Sequence, residues 1–110
     1  MEKISFDDFK KVEIRIGTVK TAENVEKSEK LLRLEVEFQD GEIRQIVSGI
    51  AKFFTPEEIV GKQCPFAYNL EPRMIMGLES NGMILGIGGE EVGFAALHPS
   101  KEVPSGSLIG

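Results

Sequence analysis

Phe54-Thr-Pro-Glu-Glu-Ile59 is the strongest local signal in this chain, and the order of the other elements is read from it. Thr55 suits a helix N-cap, Pro56 stands at the first helical position, where no amide hydrogen is required, and Glu58 completes a capping box. Phe54 and Ile59 have the spacing of a hydrophobic staple, and Gly61 stops the helix. A short helix is therefore expected over residues 55–60.

Upstream, Val12, Ile14, Ile16 and Thr18 alternate with Glu13, Arg15 and Gly17, the period of a half-buried strand. Leu32, Leu34, Val36 and Phe38 alternate with Arg33, Glu35 and Glu37 in the same way. Asp40-Gly41 joins that second strand to a third over residues 43–47. At the start, Ile4-Ser-Phe-Asp-Asp-Phe9 reads as a short helix capped by Ser5, with Asp7 and Asp8 at its positive end. Downstream, residues 62–70 and 83–87 read as strands, with Gly86, Gly88 and Gly89 as punctuation. Residues 92–97 form one more candidate strand. A turn-rich tail follows, with Leu108 and Ile109 as its apolar anchors. Strands, one short helix, then more strands is the order of an OB-like barrel, which inserts a helix between its third and fourth strands. The expectation is an all-β, five-stranded barrel spanning residues 1–110 as a single domain.

The 110 residues, 41% of them hydrophobic, suffice for one core. No apolar run approaches the ~20 residues of a membrane span, and the first residues lack an apolar signal region. The lone cysteine, Cys64, excludes an internal disulfide and fits a reducing cytoplasm. Net charge is −5, which argues against tight non-specific binding of polyanions. From Lys10 to Arg33, however, seven basic residues face four acidic ones. Screening over about 8 Å makes that local excess more relevant to a ligand than the total.

Enzyme chemistry has little support. His98 and Cys64 are the only residues of their kinds, too few for a metal cluster or a nucleophilic triad, and neither a metal nor a cofactor is expected. The glycines at 86, 88 and 89 lack the following helix of a phosphate loop. Among the aromatics, Phe38, Phe9 and Phe54 are accounted for by strand and helix packing. That leaves Tyr68, and less clearly Phe53, to stack on a base.

Asn69-Leu-Glu-Pro-Arg-Met-Ile-Met-Gly77 followed by Ser80-Asn-Gly-Met83 mixes an amide, a guanidinium, a hydroxyl and a thioether around turn residues. That mixture serves either a contact surface or turn punctuation. Arg73 can fork onto a phosphate or pair with Glu71 or Glu79. Lys30 is either a contact at the mouth of the second strand or a solvated lysine. Met83 is either buried or a rim contact.

Several pieces, in order, carry a resemblance: Val12-Glu-Ile-Arg-Ile-Gly17, Lys30-Leu-Leu32, Arg44-Gln-Ile-Val-Ser-Gly-Ile50, Gly61-Lys62, Asn69-Leu-Glu-Pro-Arg73, Met76-Gly77 and Ser80-Asn-Gly-Met83. The chain resembles the tRNA-binding domain at the C-terminus of many methionyl-tRNA synthetases. That module also occurs in free-standing tRNA-binding proteins, in the chaperone homologues called CsaA, and in the endothelial monocyte-activating polypeptide family. The resemblance implies non-catalytic binding of the tRNA elbow through Lys30, Asn69, Arg73, Ser80 and Met83, with Arg33, Tyr68 and Asn81 as additional contacts. It implies a homodimer paired through the C-terminal extension, with Phe94, Leu97, Leu108 and Ile109 as interface material, and a methionyl-tRNA synthetase catalytic chain as partner. Two departures stand out: Glu13 where the family often has Asp, and Glu26-Lys-Ser-Glu29 in place of a His-Pro and Ala-Asp pattern. No lysine-rich extension is present. The alternative is a CsaA-like chaperone for unfolded or secretory polypeptides; an oligosaccharide-binding barrel lacks the exposed aromatic platform.

Overall fold

The computed structural model describes residues Met1–Gly110. A one-turn helix α1 (Phe6–Lys10) precedes strands β1 (Ile14–Asn24), β2 (Leu32–Glu37) and β3 (Ile43–Ser48). Helix α2 (Pro56–Ile59) then leads into β4 (Gln63–Ala67), the small strands β5 (Arg73–Ile75) and β6 (Leu78–Ser80), and β7 (Met83–Ile84). A separate hairpin, β8 (Gly86–Gly89) and β9 (Gly93–Ala96), follows. The main antiparallel sheet has the order β3-β2-β1-β4-β7, and β5-β6 and β8-β9 are two-stranded sheets beside it.

The expected signals act as read. Glu58 Oε1 accepts the Thr55 N–H at 2.8 Å, closing the capping box that starts α2. Asp40 and Gly41 take φ of 57° and 75° in the turn between β2 and β3. Along β2 burial alternates residue by residue, with Leu32, Leu34 and Val36 wholly inside. These three pack with Val19, Phe38, Ile46, Ile59, Cys64 and Phe66 in one core. The sheet curls so that β3 approaches the far edge, where the Asn81 N–H donates to the Gln45 carbonyl at 2.8 Å. The result is a nearly closed five-stranded antiparallel barrel with α2 between its third and fourth strands, an OB-type fold.

Strand limits differ from expectation for identifiable reasons. β1 starts at Ile14, not Val12, and continues past a register shift between Val19 and Thr21 to reach Asn24. A bulge of this kind bends a strand and lets it serve two neighbours: β1 pairs with β4 through its first half and with β2 through its second. Gly17, outward-facing by alternation, is buried, and a Cβ there would overlap Val36 Cγ1. The strand expected over 83–87 is broken at Leu85, whose N–H turns to the Pro65 carbonyl at 2.9 Å. Helix α1 buries none of its residues, so Phe9 remains exposed and is not explained by packing.

The tail runs back along β1. Ile16 N–H donates to Ser107 O at 2.9 Å, Gly106 N–H to Ile16 O at 2.6 Å, and Ile109 N–H to Ile14 O at 2.9 Å. Gly106, with φ of 87°, passes so close to Gln39 that a Cβ would strike its backbone. No helix is long and apolar enough to cross a membrane.

Candidate nucleic-acid interface

The segment singled out in the sequence folds as a hairpin inserted between barrel strands β4 and β7. Arg73 pairs with Ser80, Met74 with Glu79 and Ile75 with Leu78, leaving a two-residue turn. Both turn residues, Met76 (φ 49°) and Gly77 (φ 79°), are left-handed. That geometry matches the twist of the flanking strands and favours Asn-Gly or Asp-Gly. A methionine there costs roughly 1–2 kcal/mol of backbone strain.

Opposite the hairpin, the loop between β1 and β2 carries a second left-handed residue, Lys27 (φ 67°). Between the two loops lies an open cleft of about 460 Å³, lined by Glu23, Asn24, Val25, Glu26, Arg33, Met76 and Leu78. The loops after the first and fourth barrel strands are where OB folds engage oligonucleotides.

Ion pairing separates the arginines. Arg15 pairs with Glu13, Arg33 with Glu23 at 2.6 Å, and Arg44 with Glu42 at 3.3 Å. Arg73 is exposed and has no carboxylate partner, neither Glu71 nor Glu79. Lys30 is likewise exposed and its ammonium unpaired; only its backbone is engaged, the carbonyl by the Ala51 N–H at 3.0 Å and the N–H by Ser28 Oγ at 3.3 Å. The basic run from Lys10 to Arg33 is thinned by ion pairs of Lys11, Arg15, Lys20 and Arg33.

The remaining predicted residues fall into two groups. Met83 is exposed beside the hairpin base and, with Arg73, lines a small enclosed pocket under it. Ser80 is only 3% exposed. Its hydroxyl accepts the Val47 N–H at 3.0 Å and donates to the Gly82 carbonyl at 3.2 Å, fastening the hairpin to β3. Asn69 is exposed but tied at both ends of its amide. Oδ1 accepts the Glu13 N–H at 2.8 Å, and Nδ2 donates to the Lys11 carbonyl at 2.7 Å. Asn81 is half-buried and joins β3 through its backbone. Arg33 adds a bond to Gln45 Oε1 at 3.0 Å, and the Glu23 hydrogen bond holds its guanidinium pKa above the usual value.

Tyr68 is no open platform. Arg44 Cζ lies 3.6 Å and Arg15 Cζ 5.3 Å from its ring centroid, and Phe38 meets the ring edge-on at 5.0 Å. Its hydroxyl donates to Glu42 and accepts from Gln39 Nε2 at 3.0 Å. Burial, then that bond to Glu42, pushes the phenol pKa up, and the Tyr68 hydroxyl holds the Glu42 carboxyl below its ordinary value. Phe53 lies against Gly93 of β9 and keeps 45% of its surface exposed.

At the other end, Leu97, Leu108 and Ile109 are exposed and line one apolar groove with Ile16, Pro65 and Val103. Phe94 is turned inward, edge-on to Phe54 at 6.2 Å. His98 Nδ1 donates to the Gln63 carbonyl at 2.7 Å, and Cys64 Sγ is 3.7 Å from the same nitrogen. Burial raises the Cys64 pKa to about 11, so the pair holds a protonated thiol. Sequence reasoning missed Met76 as a left-handed tip residue, because Met-Gly is not a recognised signal for that turn.

Strand order and loop placement define the class: a small OB-type barrel with two loops facing each other across an open cleft. Residues 14–108 match a family described as "Putative tRNA binding domain", and the chain belongs to that family. A methionine–tRNA ligase of Methanosarcina mazei is 47% identical over 106 residues, 96% of this chain and 15% of that relative. The chain thus spans only a small part of such relatives. A MetRS-related protein of Pyrococcus horikoshii superposes with a TM-score of 0.93 at 37% identity, covering both chains fully. The chaperone CsaA of Bacillus anthracis superposes with a TM-score of 0.89 at 31% identity, covering 99% of this chain and 100% of that one.

Proposed function

We propose that this chain is a non-catalytic tRNA-binding module that grips the outer corner of folded tRNA. It assists a methionyl-tRNA synthetase, as an appended domain or a separate subunit, in the cytoplasm. The observation that carries the reading is Arg73: the one arginine without a carboxylate partner, exposed on the hairpin between β4 and β7. A guanidinium so placed offers a planar fork to phosphate. Lys30 and Met83 are also open to a ligand. Asn69 and Ser80 act by holding the loops in place. Raising the local concentration of tRNA beside a catalytic site gains on the order of 100-fold in avidity without new contacts there. The apolar groove of Leu97, Leu108 and Ile109 pairs two chains and doubles the number of sites.

The test is binding of the purified chain to folded total tRNA across a salt series, with Arg73→Ala alongside. The expected result is retention of folded tRNA over an unstructured RNA of equal length, weakening with salt and further weakened in the variant. Equal retention of the unstructured RNA overturns the corner reading. A second reading, binding of unfolded polypeptide, draws on the likeness to the CsaA of Bacillus anthracis and on the exposed Met74, Met76 and Met83. Capture of a denatured protein with no retention of tRNA would favour it.

A further inference from the structure

The cleft between the β1–β2 loop and the β5–β6 hairpin has a chemistry that phosphate contacts do not explain. Glu23 and Glu26 outnumber its one cation, Arg33, which is already paired with Glu23. A phosphate is repelled there. Met76, Val25 and Leu78 supply apolar surface, and Asn24 and Glu26 have side chains without a hydrogen-bond or ion-pair partner. At about 460 Å³ the space exceeds what an aromatic ring needs. Two of the chain's three non-glycine left-handed residues, Lys27 and Met76, stand in the two loops that flank it. Left-handed strain on a non-glycine residue clusters where a side chain must be presented, and Met76 keeps 58% of its surface exposed, so burial does not offset that strain.

The geometry points to this cleft as the seat of a single unpaired nucleobase of the bound RNA, guanine preferred, with the Met76 thioether on its face. This rests on the tRNA reading above and adds the base it holds. Guanine offers two adjacent donors on its pairing edge, and a carboxylate such as Glu26 accepts both side by side. Uracil presents two acceptors and one donor to the same carboxylate and is disfavoured. No aromatic ring lines the cleft, and the flexible, polarisable methionine thioether is the surface that the base meets.

The test uses the full chain and folded total tRNA, comparing wild type, Met76→Asn and Arg73→Ala over a salt series. Asparagine is at home in a left-handed turn, so Met76→Asn folds with an unchanged or raised melting temperature. The expected result is an affinity loss of about five-fold at every salt concentration, the low end of base-stacking contributions, with an unchanged salt slope. Arg73→Ala instead lowers that slope by about one. A dicarbonyl reagent that modifies N1 and N2 of unpaired guanine should find one guanine shielded by wild type and open with Met76→Asn. Wild-type affinity in Met76→Asn, or no shielded guanine, overturns the inference while leaving the tRNA reading intact. Failure of wild type to retain tRNA at all overturns both.

Discussion

Around Tyr68, Arg15 and Arg44 stack on one ring, pair with Glu13 and Glu42, and donate to the carbonyls of Gly106 and Tyr68. On the β5–β6 hairpin, Arg73 has none of these partners, and its neighbours Met74 and Met76 are exposed. Both regions carry guanidinium groups near the starts of strands, yet the first is satisfied within the molecule and the second is not. Charge alone therefore does not distinguish the two regions; what distinguishes them is whether the guanidinium finds its partners within the molecule.

Substitutions that separate structure from binding sharpen this contrast. Tyr68→Ala removes a ring packed on Phe38 and two arginines, and should cost about 3 kcal/mol of stability by urea denaturation. A loss under about 0.5 kcal/mol would mean the Tyr68 cluster is as loosely held as the hairpin. Ser80→Ala leaves the buried Val47 N–H without an acceptor, which should cost about 1–3 kcal/mol. Its tRNA affinity should fall only as the hairpin loosens, which amide exchange at Arg73 to Ser80 would report. Lost affinity with unchanged exchange would make the hydroxyl a direct contact.

The carboxyl of Glu42 tests the satisfied side through pH. Its folded pKa lies below the ordinary value, so it contributes stability above the unfolded pKa, and that contribution disappears as pH falls through the folded one. The melting-temperature gap between wild type and Glu42→Gln should be full near neutrality and shrink below about pH 4. A gap that is constant with pH would remove the carboxylate from the Tyr68 account. Smallest in stability is Arg73→Ala, expected within about 0.5 kcal/mol of wild type because the exposed side chain makes no hydrogen bond or ion pair. A larger loss would break the comparison at its centre.

The fold was legible where signals are local. The capping box of Thr55 and Glu58, the Asp40-Gly41 turn and the alternation along β2 each depend on residues within a few positions of one another. What was not legible depends on partners far along the chain. Nothing near Asn69 announces that its amide bridges Lys11 and Glu13, 58 and 56 residues away. Nothing near Tyr68 foretells two guanidinium neighbours, so it read as a free ring. The candidate site was legible as composition, an Arg and Met mixture around turns, but not as geometry. The left-handed Met76 carries no sequence mark, and the burial of Ser80 follows from closure of the barrel against β3.

The seam along β1 has a consequence for how the protein is made. Arg15 and Gly106, joined by a hydrogen bond, stand 91 residues apart. A ribosome emits β1 long before the strand-like tail that covers its edge, so the nascent chain carries an uncapped β-ribbon throughout most of its synthesis. Exposed ribbons of this kind recruit neighbouring chains. On polysomes, where identical nascent chains crowd together, this edge of β1 is therefore masked in the completed barrel and bare in its precursors.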